Sequence, residues 1–535
     1  MSNRTTSATG PQPRPLARRS IWAALARHGV GPLAGLLAAA TAIGVGEAAA
    51  AFVRPAASPI IVVGNRFILL TPESLRRWAI REFGSNDKSV LLTGIYCTIA
   101  VLALVLGALA VRRFAFGAAG LVLFGAVGVY SALTSHGHRG SDVVPTVIAT
   151  LAGGYVLKLL CALIGSMDPA AQSPSGVLGT DRRRFLKAST AVAGVAILTG
   201  FGGKALQRTR YNVAAARAKI SLPAPASPAA ALAADTDLGK SGQPFVTPNA
   251  TFYRVDTALS LPQIDPANWS LRIHGMVDDE ITLTYQQILA MPLIERWITM
   301  TCVSNEVGGD LVGNARFLGA RLADVLKRAG VHSGADQLVM SSSDGMTIGA
   351  PVAAATDGRD AMLAVGMNGD PLPVAHGFPV RVVIPGLYGY VSACKWITDL
   401  EVTTFAAYDA YWVRQGYLQQ APITLSSRID RPRSGNSVPV GGQVAIAGVA
   451  WEQHVGVSKV EISVDGGGWM PARLASVPSI DTWRQWVLPW TPTGPGAHSI
   501  RVRAWDADGN LQVGTSAQPY PGAASGWHTI TVTAR

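Results

Sequence analysis

Cysteine and charge are both scarce in this chain of 535 residues. Only four cysteines are present, and no CxxC or CxxCH sequence occurs among them. These absences exclude a fold built on disulfides and leave a zinc ribbon or a c-type haem attachment without support. Lys, Arg, Asp and Glu make up 15% of the residues, whereas hydrophobic residues make up 49%. That balance excludes a disordered chain and is too apolar for a purely soluble enzyme.

The positive charge is concentrated in the N-terminal part of the chain. Residues 1–180 contain 15 Lys and Arg against 6 Asp and Glu, and residues 181–242 contain 10 against 3. The remaining 293 residues contain 20 against 24 and are slightly acidic. Positive residues beside apolar segments are typical of membrane proteins. The acidic remainder makes the chain a poor candidate for nucleic-acid binding.

Four apolar stretches are long enough to cross a bilayer, which takes about 20 residues. A basic N-terminal head and Arg112-Arg113 favour a cytoplasmic N-terminus, although arginines in the first loop argue somewhat against it. No histidine lies mid-span, so we expect an anchor or docking module and not a haem protein. The predicted spans are approximately Pro32–Val53, Ser89–Val111, Phe114–Leu133 and Val143–Ile164. The head contains Arg14, Arg18, Arg19 and Arg27, the first loop Arg76, Arg77 and Arg81, and the histidines are His28, His136 and His138.

A basic motif precedes a fifth apolar segment. The sequence Asp181-Arg182-Arg183-Arg184-Phe185-Leu186-Lys187 is followed by an Ala- and Gly-rich run over residues 188–202. It resembles a twin-arginine export signal, with the arginine pair at Arg182 and Arg183. Such a signal exports a chain that is already folded, usually around a cofactor inserted in the cytoplasm. The alternative is the positively charged flank of an ordinary fifth span.

The amino-acid composition and the pattern of apolar residues change after this segment. Residues 213–242 are rich in Ala and Pro and contain no aromatic residue, which predicts a surface linker. Beyond it, short β-branched runs such as Trp269–His274 and Val380–Ile384 alternate with amphipathic helical stretches such as Leu322–Ala329. This alternation predicts mixed α and β structure.

Cys302 lies where a predicted strand runs into a Gly-Gly turn. Glycines at such a point allow a backbone to come close to a ligand, and a soft thiolate there suits a soft metal centre. Two structural interpretations remain open on local sequence alone. Cys302 is either a buried free cysteine or, after export, the partner of Cys394 in a disulfide.

An ordered series of motifs across residues 243–535 resembles the sulfite-oxidase type of molybdenum enzyme. Each motif alone is weak, but their shared order is specific. The N-terminal motifs are Thr247-Pro248-Asn249, Phe252-Tyr253-Arg254, Thr301-Cys302-Val303-Ser304-Asn305 and Gly313-Asn314-Ala315-Arg316-Phe317. The central ones are Met367-Asn368-Gly369-Asp370-Pro371-Leu372-Pro373, His376-Gly377-Phe378-Pro379-Val380-Arg381 and Lys395-Trp396. The C-terminal ones are Pro432-Arg433-Ser434-Gly435, Gly448-Val449-Ala450-Trp451, Ser463-Val464-Asp465-Gly466-Gly467, Trp483-Arg484-Gln485-Trp486 and Gly526-Trp527-His528.

The resemblance implies a molybdopterin cofactor and assigns residues to it. Cys302 takes the role of the thiolate that binds molybdenum together with the dithiolene of one pterin. His376, Arg381 and Lys395 line the pocket of the pterin phosphate, for which a guanidinium and an ammonium are suitable partners. The other cofactor-binding residues that the resemblance implies are Asn249, Tyr253 and Asp344, with Asn249 and Asp344 at the pterin ring or its edge.

The substrate pocket departs from the family pattern. The resemblance assigns Arg254, Arg484 and Tyr417 to catalysis, because sulfite oxidases surround their anionic substrate with arginines. However, the register slips after Tyr253, and Asp256-Thr257 replace the family's Asn-His. Glu306-Val307 stand where the family has an arginine pair after the cysteine. A carboxylate there weakens the attraction for a dianion such as sulfite.

The last 115 or so residues have the pattern of a β-sandwich. Polar and apolar residues alternate in Gln443–Ala447, Ser458–Val464 and Ser499–Ala504, and turn sequences separate these runs. The segment resembles the family's immunoglobulin-like dimerisation domain, which implies a homodimer as one arrangement. Periplasmic methionine-sulfoxide reductases of the family lack it. No cytochrome b5-like domain is present, so we expect a separate electron carrier, either a cytochrome or a quinone-linked protein.

These inferences combine into one expected architecture and one expected function. We expect a multi-pass plasma-membrane protein whose extracytoplasmic part oxidises sulfite or a related oxyanion. The alternatives are a sulfoxide reductase that uses the same cofactor and a cofactor-free membrane receptor. The expected domains are a four-span module over 1–180, the signal and fifth apolar segment over 181–212, the linker over 213–242, an α+β molybdopterin-binding domain over 243–410 and an all-β immunoglobulin-like domain over 420–535.

Overall fold

The computed structural model describes residues 17–72, 75, 78–79, 82–83, 87–135, 138–165, 178–210, 212–239 and 242–535. The chain divides into two compact units, an N-terminal unit over Met1–Arg210 and a C-terminal unit over Tyr211–Arg535. Several residues used for the topology expectation lie outside the described part of the chain. They are Arg14, Arg76, Arg77, Arg81 and His136, together with the side chains of Arg18, Arg19, Arg27, His28, Asp181 and Arg182.

The N-terminal unit is built from helices. Five of those in the described residues are long and apolar enough to cross a membrane, which supports membrane association. Three of the predicted spans lie within one helix each, the fourth begins one residue before its helix, at Val143, and the apolar run over 188–202 lies in the fifth long helix. The helices are α1 (Ala17–Val53), α2 (Pro59–Leu70), α3 (Asp87–Arg112), α4 (Phe114–Leu133), α5 (Val144–Gly165) and α6 (Leu178–Arg210), of which α2 is the short one.

Helices α1 and α6 pack closely through glycines. A Cβ atom on Gly203 would lie 2.6 Å from the backbone nitrogen of Ala48, and one on Gly44 would lie 2.6 Å from the carbonyl oxygen of Ala196. Beside this contact, Gln207 Nε2 donates to the Glu47 backbone oxygen at 2.7 Å and to its carboxylate at 3.1 Å. The close contact requires the small residues, and the hydrogen bonds add to it.

The C-terminal unit begins with an α+β domain. One sheet has the strand order β2-β1-β10-β5-β6 and the other the order β3-β4-β7-β8, with β9 paired to β7. The first-sheet strands are β1 (Ser270–Gly275), β2 (Ile281–Thr284), β5 (Gln337–Ser342), β6 (Thr347–Pro351) and β10 (Ile397–Thr403). The others are β3 (Leu293–Thr301), β4 (Val312–Arg321), β7 (Met362–Met367), β8 (Asp370–Pro371) and β9 (Arg381–Val383). The helices are α7 (Val213–Ala218), α8 (Tyr285–Leu289), α9 (Leu322–Ala329), α10 (Val352–Thr356), α11 (Gly389–Ser392) and α12 (Tyr411–Arg414).

The apolar pattern of the sequence accounts for these elements. Helix α9 has the bounds expected from its spacing, buries Leu322, Val325, Leu326 and Ala329, and ends at Gly330, whose φ of +70° suits a helix C-cap. Strand β7 is buried at all six positions, as expected for a strand covered on both faces.

A β-sandwich follows. Its sheets have the orders β11-β13-β17-β16 and β12-β19-β18-β14-β15. Along β18 every second residue from Ile500 to Asp506 is buried, which is the alternation that a sheet with one solvated face requires. The strands are β11 (Ser426–Arg431), β12 (Ser437–Val438), β13 (Val444–Trp451), β14 (Val457–Val464), β15 (Met470–Pro471), β16 (Arg473–Leu474), β17 (Arg484–Trp490), β18 (Gly496–Asp506) and β19 (Thr529–Ala534).

The segment predicted as a linker is hydrogen-bonded to the α+β domain. Ala226 N donates to Leu293 O at 2.8 Å, and Glu295 N donates to Ser227 O at 2.8 Å, so the segment runs beside β3. Trp297 Nε1 also donates to Ala230 O at 2.9 Å. Composition alone indicated exposure, but it carried no information about this pairing.

Candidate functional site

Cys302 follows directly after β3, which pairs with β4 along its whole length up to Thr301. The Cys302 amide donates to Leu311 O at 2.9 Å, and its own carbonyl accepts from Asn305 N at 3.0 Å. The Asn305 side chain accepts from Leu311 N at 2.8 Å and closes the loop between the two strands. The cysteine is therefore held on a rigid strand end.

The Cys302 thiol is buried and free. Cys394 is free as well, so the structure does not show the disulfide that the sequence left open. Burial raises the pKa of Cys302, while hydrogen bonds from Ser304 and the positive charge of Lys395 act in the opposite direction. A neighbouring cation that favours the thiolate is what a metal-binding cysteine needs.

Arg381, in β9, places a cation in the interior. Its side chain is buried, its Nη1 donates to His376 O at 3.2 Å, and its Nε has no hydrogen-bond partner within the described structure. Burial lowers the pKa of Arg381 to about 10. His376 packs edge-on against Phe252, and burial, together with Arg381 and Lys395, lowers its pKa to about 4.

Lys395 and Arg254 share one carboxylate. Lys395 Nζ donates to Asp256 Oδ2 at 2.8 Å, and Arg254 binds both Asp256 oxygens, at 2.7 and 3.1 Å. Burial lowers the pKa of Lys395 to about 8, although Asp256 opposes the shift. The arginine assigned to substrate binding is therefore already paired with a carboxylate that lies two residues further along the chain.

Asn249 and Tyr253 lie in the same cluster. The Asn249 backbone oxygen accepts from His376 Nε2 at 3.3 Å, and its side chain bonds Met367 O and Asn368. Tyr253 stacks on Phe252 at 5.2 Å. Burial raises the pKa of Tyr253, the charge of Cys302 adds to this increase, and Arg381 opposes it.

Asp344 reaches the cluster through Cys394. Its Oδ1 accepts from Met346 N at 3.2 Å. Burial raises the pKa of the Cys394 thiol and the Asp344 charge adds to the shift, while Arg381 and Lys395 lower it. Of the ten site residues that the sequence predicted, the structure thus groups eight around Cys302 and Arg381. These are Asn249, Tyr253, Arg254, Cys302, Asp344, His376, Arg381 and Lys395.

The other two predicted residues have different contacts. Arg484 begins β17 and donates to the carbonyl oxygens of Ala475 at 2.7 Å and Val457 at 2.8 Å, both in the β-sandwich. Tyr417 is buried in an aromatic cluster, with its ring 5.4 Å from those of Tyr390 and Trp412 and 5.2 Å from that of Tyr520. The role of these two residues in catalysis stays a prediction.

The β-sandwich supports the strand that carries Cys302. Gln453 Nε2 donates to Thr299 O at 3.0 Å and to Thr301 Oγ1 at 3.1 Å. Trp483 N donates to the Thr299 hydroxyl oxygen at 2.7 Å, and its indole is almost fully buried. The sequence did not identify these two residues as supports, because Gln453 follows β13, Trp483 precedes β17, and no spacing relates either of them to residue 302.

A pocket of about 370 Å³, counted with the solvent in its mouth, lies beside the cysteine loop. Thr301 and Asn305 form one side, and Tyr388 and Trp451 contribute aromatic walls. The remaining lining residues are Glu306, Val307, Gly308, Leu425, Ser426, Ser427, Gln512, Ala524, Ser525 and Gly526. Tyr388 was not predicted, although its position between Gly386 and Gly389 was a signal that could have identified it.

The residues present fit the implied cofactor. Arg381 Nε is a buried donor without a partner, and it lies beside His376 and Lys395, so an anionic group such as a phosphate would satisfy it. Gly377 has a φ of +110°, and a Cβ atom added to it would lie 2.9 Å from the Cβ atom of Arg381. The backbone at Gly377 therefore packs directly against the Arg381 side chain. Among the described residues no group of three or more His, Cys, Asp or Glu could hold a metal by itself. One thiolate with an external dithiolene is compatible with that donor set.

Comparisons with known proteins agree with this arrangement. Residues 258–412 match the family described as oxidoreductase molybdopterin binding domain, and residues 426–502 match the family described as bacterial Ig domain. These matches confirm the predicted α+β cofactor domain, the molybdopterin cofactor and the immunoglobulin-like domain after it.

The chain is also similar to individual proteins and to a solved structure. The mitochondrial sulfite oxidase of Homo sapiens is 31% identical over 341 residues, which cover 54% of this chain and 62% of that protein. The uncharacterized oxidoreductase YuiH of Bacillus subtilis is 31% identical over 153 residues, which cover 29% of this chain and 74% of that protein. The crystal structure of the sulfane dehydrogenase SoxCD from Paracoccus pantotrophus has a TM-score of 0.46 and 21% identity, over 54% of this chain and 80% of that chain. The chain thus spans about three fifths of the length of the first of these relatives.

Proposed function

Because the chain belongs to the sulfite-oxidase-type family of molybdopterin-dependent oxidoreductases, we propose that it transfers an oxygen atom to or from a small sulfur compound at a molybdenum held by Cys302. The observation that carries the proposal is the position of Cys302. Its free thiol directly follows β3, the nearby residues Thr301 and Asn305 line a pocket, and the charge of Lys395 acts on it. The cofactor, when bound, supplies the two-electron exchange of the oxygen atom and the one-electron steps that follow.

The chain's own residues bind and orient. We assign the cofactor phosphate to Arg381, His376 and Lys395, because the first has an unsatisfied buried donor and all three influence one another electrostatically. We assign Tyr253 to the same site, since the charges of Cys302 and Arg381 both act on its buried phenol. Asn249 fixes the His376 ring through its backbone oxygen and keeps one side of the pterin site in place. Asp344 lies on the Cys394 side of the cluster.

Sulfite oxidation is the first candidate reaction, since a relative carries that name. Sulfite and water give sulfate, two protons and two electrons, and an external one-electron carrier takes the electrons. Sulfoxide reduction is the second candidate, in which two electrons and two protons convert a sulfoxide to a thioether and water. The observation that favours it is Glu306, a carboxylate in the lining of the pocket.

Membrane anchoring and export are part of the proposal. Five helices of the described residues are long enough to span a bilayer. If each of them crosses once, the two ends of the N-terminal unit lie on opposite sides of the membrane. Helix α6, which carries Arg183 of the twin-arginine-like motif, packs on α1 through Gly203 and Gln207. These contacts support a segment that stays as a permanent fifth span. The C-terminal unit then functions outside the cytoplasm.

Metal analysis and two assays test the function. The purified full-length protein should contain about one molybdenum atom per chain and turn over either sulfite with ferricyanide or methyl phenyl sulfoxide with reduced viologen. Cys302→Ser should abolish turnover and lower molybdenum while pterin is retained, because serine lacks the soft ligand. Cys97→Ser, which changes an exposed cysteine of the N-terminal unit, is the matched control. Molybdenum far below one atom per chain would favour a receptor without a cofactor, and full activity of Cys302→Ser would refute ligation by this sulfur.

A further inference from the structure

We propose that Glu306 makes the pocket beside Cys302 selective for an uncharged sulfur compound over an oxyanion, an inference that rests on the function proposed above. The pocket reaches the cysteine loop directly. Thr301 precedes Cys302, and the Asn305 amide donates to the Cys302 carbonyl at 3.0 Å. Tyr388 forms another wall, and a Cβ on the neighbouring Gly389 would lie 3.7 Å from the Thr301 carbonyl oxygen. A ligand in this pocket therefore lies next to the metal-binding position.

The pocket lacks the positive charge that an oxyanion needs. Among the described residues, no Lys, Arg or His lines the pocket, and the side chain of Glu306 is the one carboxylate in its lining. A dianion that leaves water requires several charged donors, whereas a carboxylate at the wall repels it.

Cations do lie near the cysteine loop, but three of them are paired with carboxylates, and Arg381 is assigned above to the cofactor phosphate. Arg254 and Lys395 both bind Asp256. Arg428 packs behind the loop, where it donates to Gly309 O at 2.6 Å and pairs with Asp430 at 2.6 Å. These contacts leave the negative charge of Glu306 without a cation in the pocket lining.

Apart from Glu306, the walls of the pocket are uncharged. Tyr388, Trp451, Leu425 and Val307 provide apolar surface. Ser427 donates to Gln512 at 2.6 Å, so these two polar side chains satisfy one another. Trp451 Nε1 is a buried neutral donor without a partner within the described structure, and its residue is only 2% exposed. A neutral donor of this kind is a weaker partner for a dianion than a guanidinium would be.

A matched pair of ligands tests the charge selection. Methyl phenyl sulfone and benzenesulfonate differ by a methyl group in place of an anionic oxygen, and neither needs to react. We expect calorimetry on the holoenzyme at low salt to show the sulfone binding at least tenfold more tightly. Glu306→Gln should strengthen benzenesulfonate binding by about threefold and Glu306→Arg by about tenfold, and high salt should reduce both effects. Asp310→Asn, an exposed acid of the same loop outside the pocket lining, should change neither affinity.

Several outcomes would overturn the proposal. Benzenesulfonate binding as tightly as the sulfone, an unchanged affinity ratio in Glu306→Arg, or no binding of either ligand would each do so. In turnover, the sulfoxide should have a higher kcat/KM than sulfite, and Glu306→Arg should raise the value for sulfite. Failure of the general function is distinguishable, because it appears as missing molybdenum or as activity retained in Cys302→Ser, and the binding measurement depends on neither reaction.

Discussion

At the residue scale, the protein keeps a guanidinium almost fully out of water without satisfying it. Arg381 is 4% exposed, and its Nε has no partner within the described structure, although its Nη1 reaches His376 O. Burying a charge in this way is costly unless an opposite charge arrives. The cost lowers the pKa of Arg381 to about 10. We therefore regard the site as prepared for an anion that belongs to the cofactor.

Replacing Arg381 by methionine separates cofactor binding from folding. We expect Arg381→Met to reduce the pterin content of the purified protein by at least about tenfold, because a charge-assisted hydrogen bond to phosphate is lost. The cofactor-free form should unfold at the same temperature or higher, since an unpaired buried charge has been removed. Pterin fluorescence after oxidation and a thermal melt measure the two effects.

Arg321→Met is the matched control for this change. Arg321 is paired with Asp360 in the same domain, and its side chain is 36% exposed. The variant should keep its pterin. Equal pterin loss in both variants would contradict the role of Arg381, and so would a normal pterin content in Arg381→Met.

Glu452 predicts a pH dependence of stability. Burial, together with the like charges of Asp506 and Asp508, raises the pKa of Glu452 from 4.5 to about 7. A carboxyl group whose pKa is higher in the folded state contributes stability below pH 4.5, and this contribution is lost as the pH rises towards 7. We expect Glu452→Gln to raise the melting temperature by about 2 to 4 °C at pH 8 and to leave it unchanged at pH 4.5. Thermal melts at both values test this, and an equal gain at both would contradict the titration.

The sequence could predict individual site residues only where a motif carries them. Cys302, His376, Arg381 and Lys395 follow from matched motifs, and the structure groups them. Arg254 and Asp256 are only two residues apart in the sequence, which is compatible with an ion pair. The bidentate geometry of that pair depends on the local backbone conformation, which the sequence does not show. Arg484 matched by position, yet its hydrogen bonds to two sandwich carbonyls could not be read from spacing.

At the scale of elements, periodicity predicted type and extent but did not predict pairing. Helix α9 and strand β18 follow from 3.6-residue and 2-residue alternation, because one face of each packs on a core. The segment over 213–242 has no such alternation, so its hydrogen bonds with β3 could not be predicted from the sequence. Which strand a segment joins depends on tertiary contacts that a single sequence does not reveal.

The contact between α1 and α6 gives a prediction at this scale. Gly203→Leu should destabilise the N-terminal unit by about 1 to 3 kcal/mol, because a Cβ there would lie 2.6 Å from the backbone nitrogen of Ala48. Thermal aggregation of the detergent-solubilised protein measures the loss. Gly194→Leu is the matched control, since it lies on the same helix and a Cβ there meets nothing within 4 Å. Equal stability of the two variants would show that the helices do not pack as described.

At the scale of the whole molecule, the five long apolar helices of the described residues and the twin-arginine-like motif lead to the same expectation. If each of these helices crosses the membrane once and the N-terminus is cytoplasmic, we expect the chain after Arg210 to lie outside the cytoplasm. A cofactor made in the cytoplasm must be inserted before export, so the C-terminal unit has to cross in its folded state. An ordinary fifth span offers no such route for a folded domain.

Replacing Arg182-Arg183 by Lys-Lys tests this expectation. The change keeps the positive charge that orients a simple span and removes the specific pair. We expect the C-terminal unit to remain inside, protected from protease added to spheroplasts, while the molybdenum content per chain stays normal because insertion precedes export. Arg208→Lys, at the other end of α6, should leave the C-terminal unit exposed to protease. If the Lys-Lys variant were digested from outside as rapidly as the natural chain, the segment would be an ordinary membrane span, and the C-terminal unit would have to acquire its cofactor by another route.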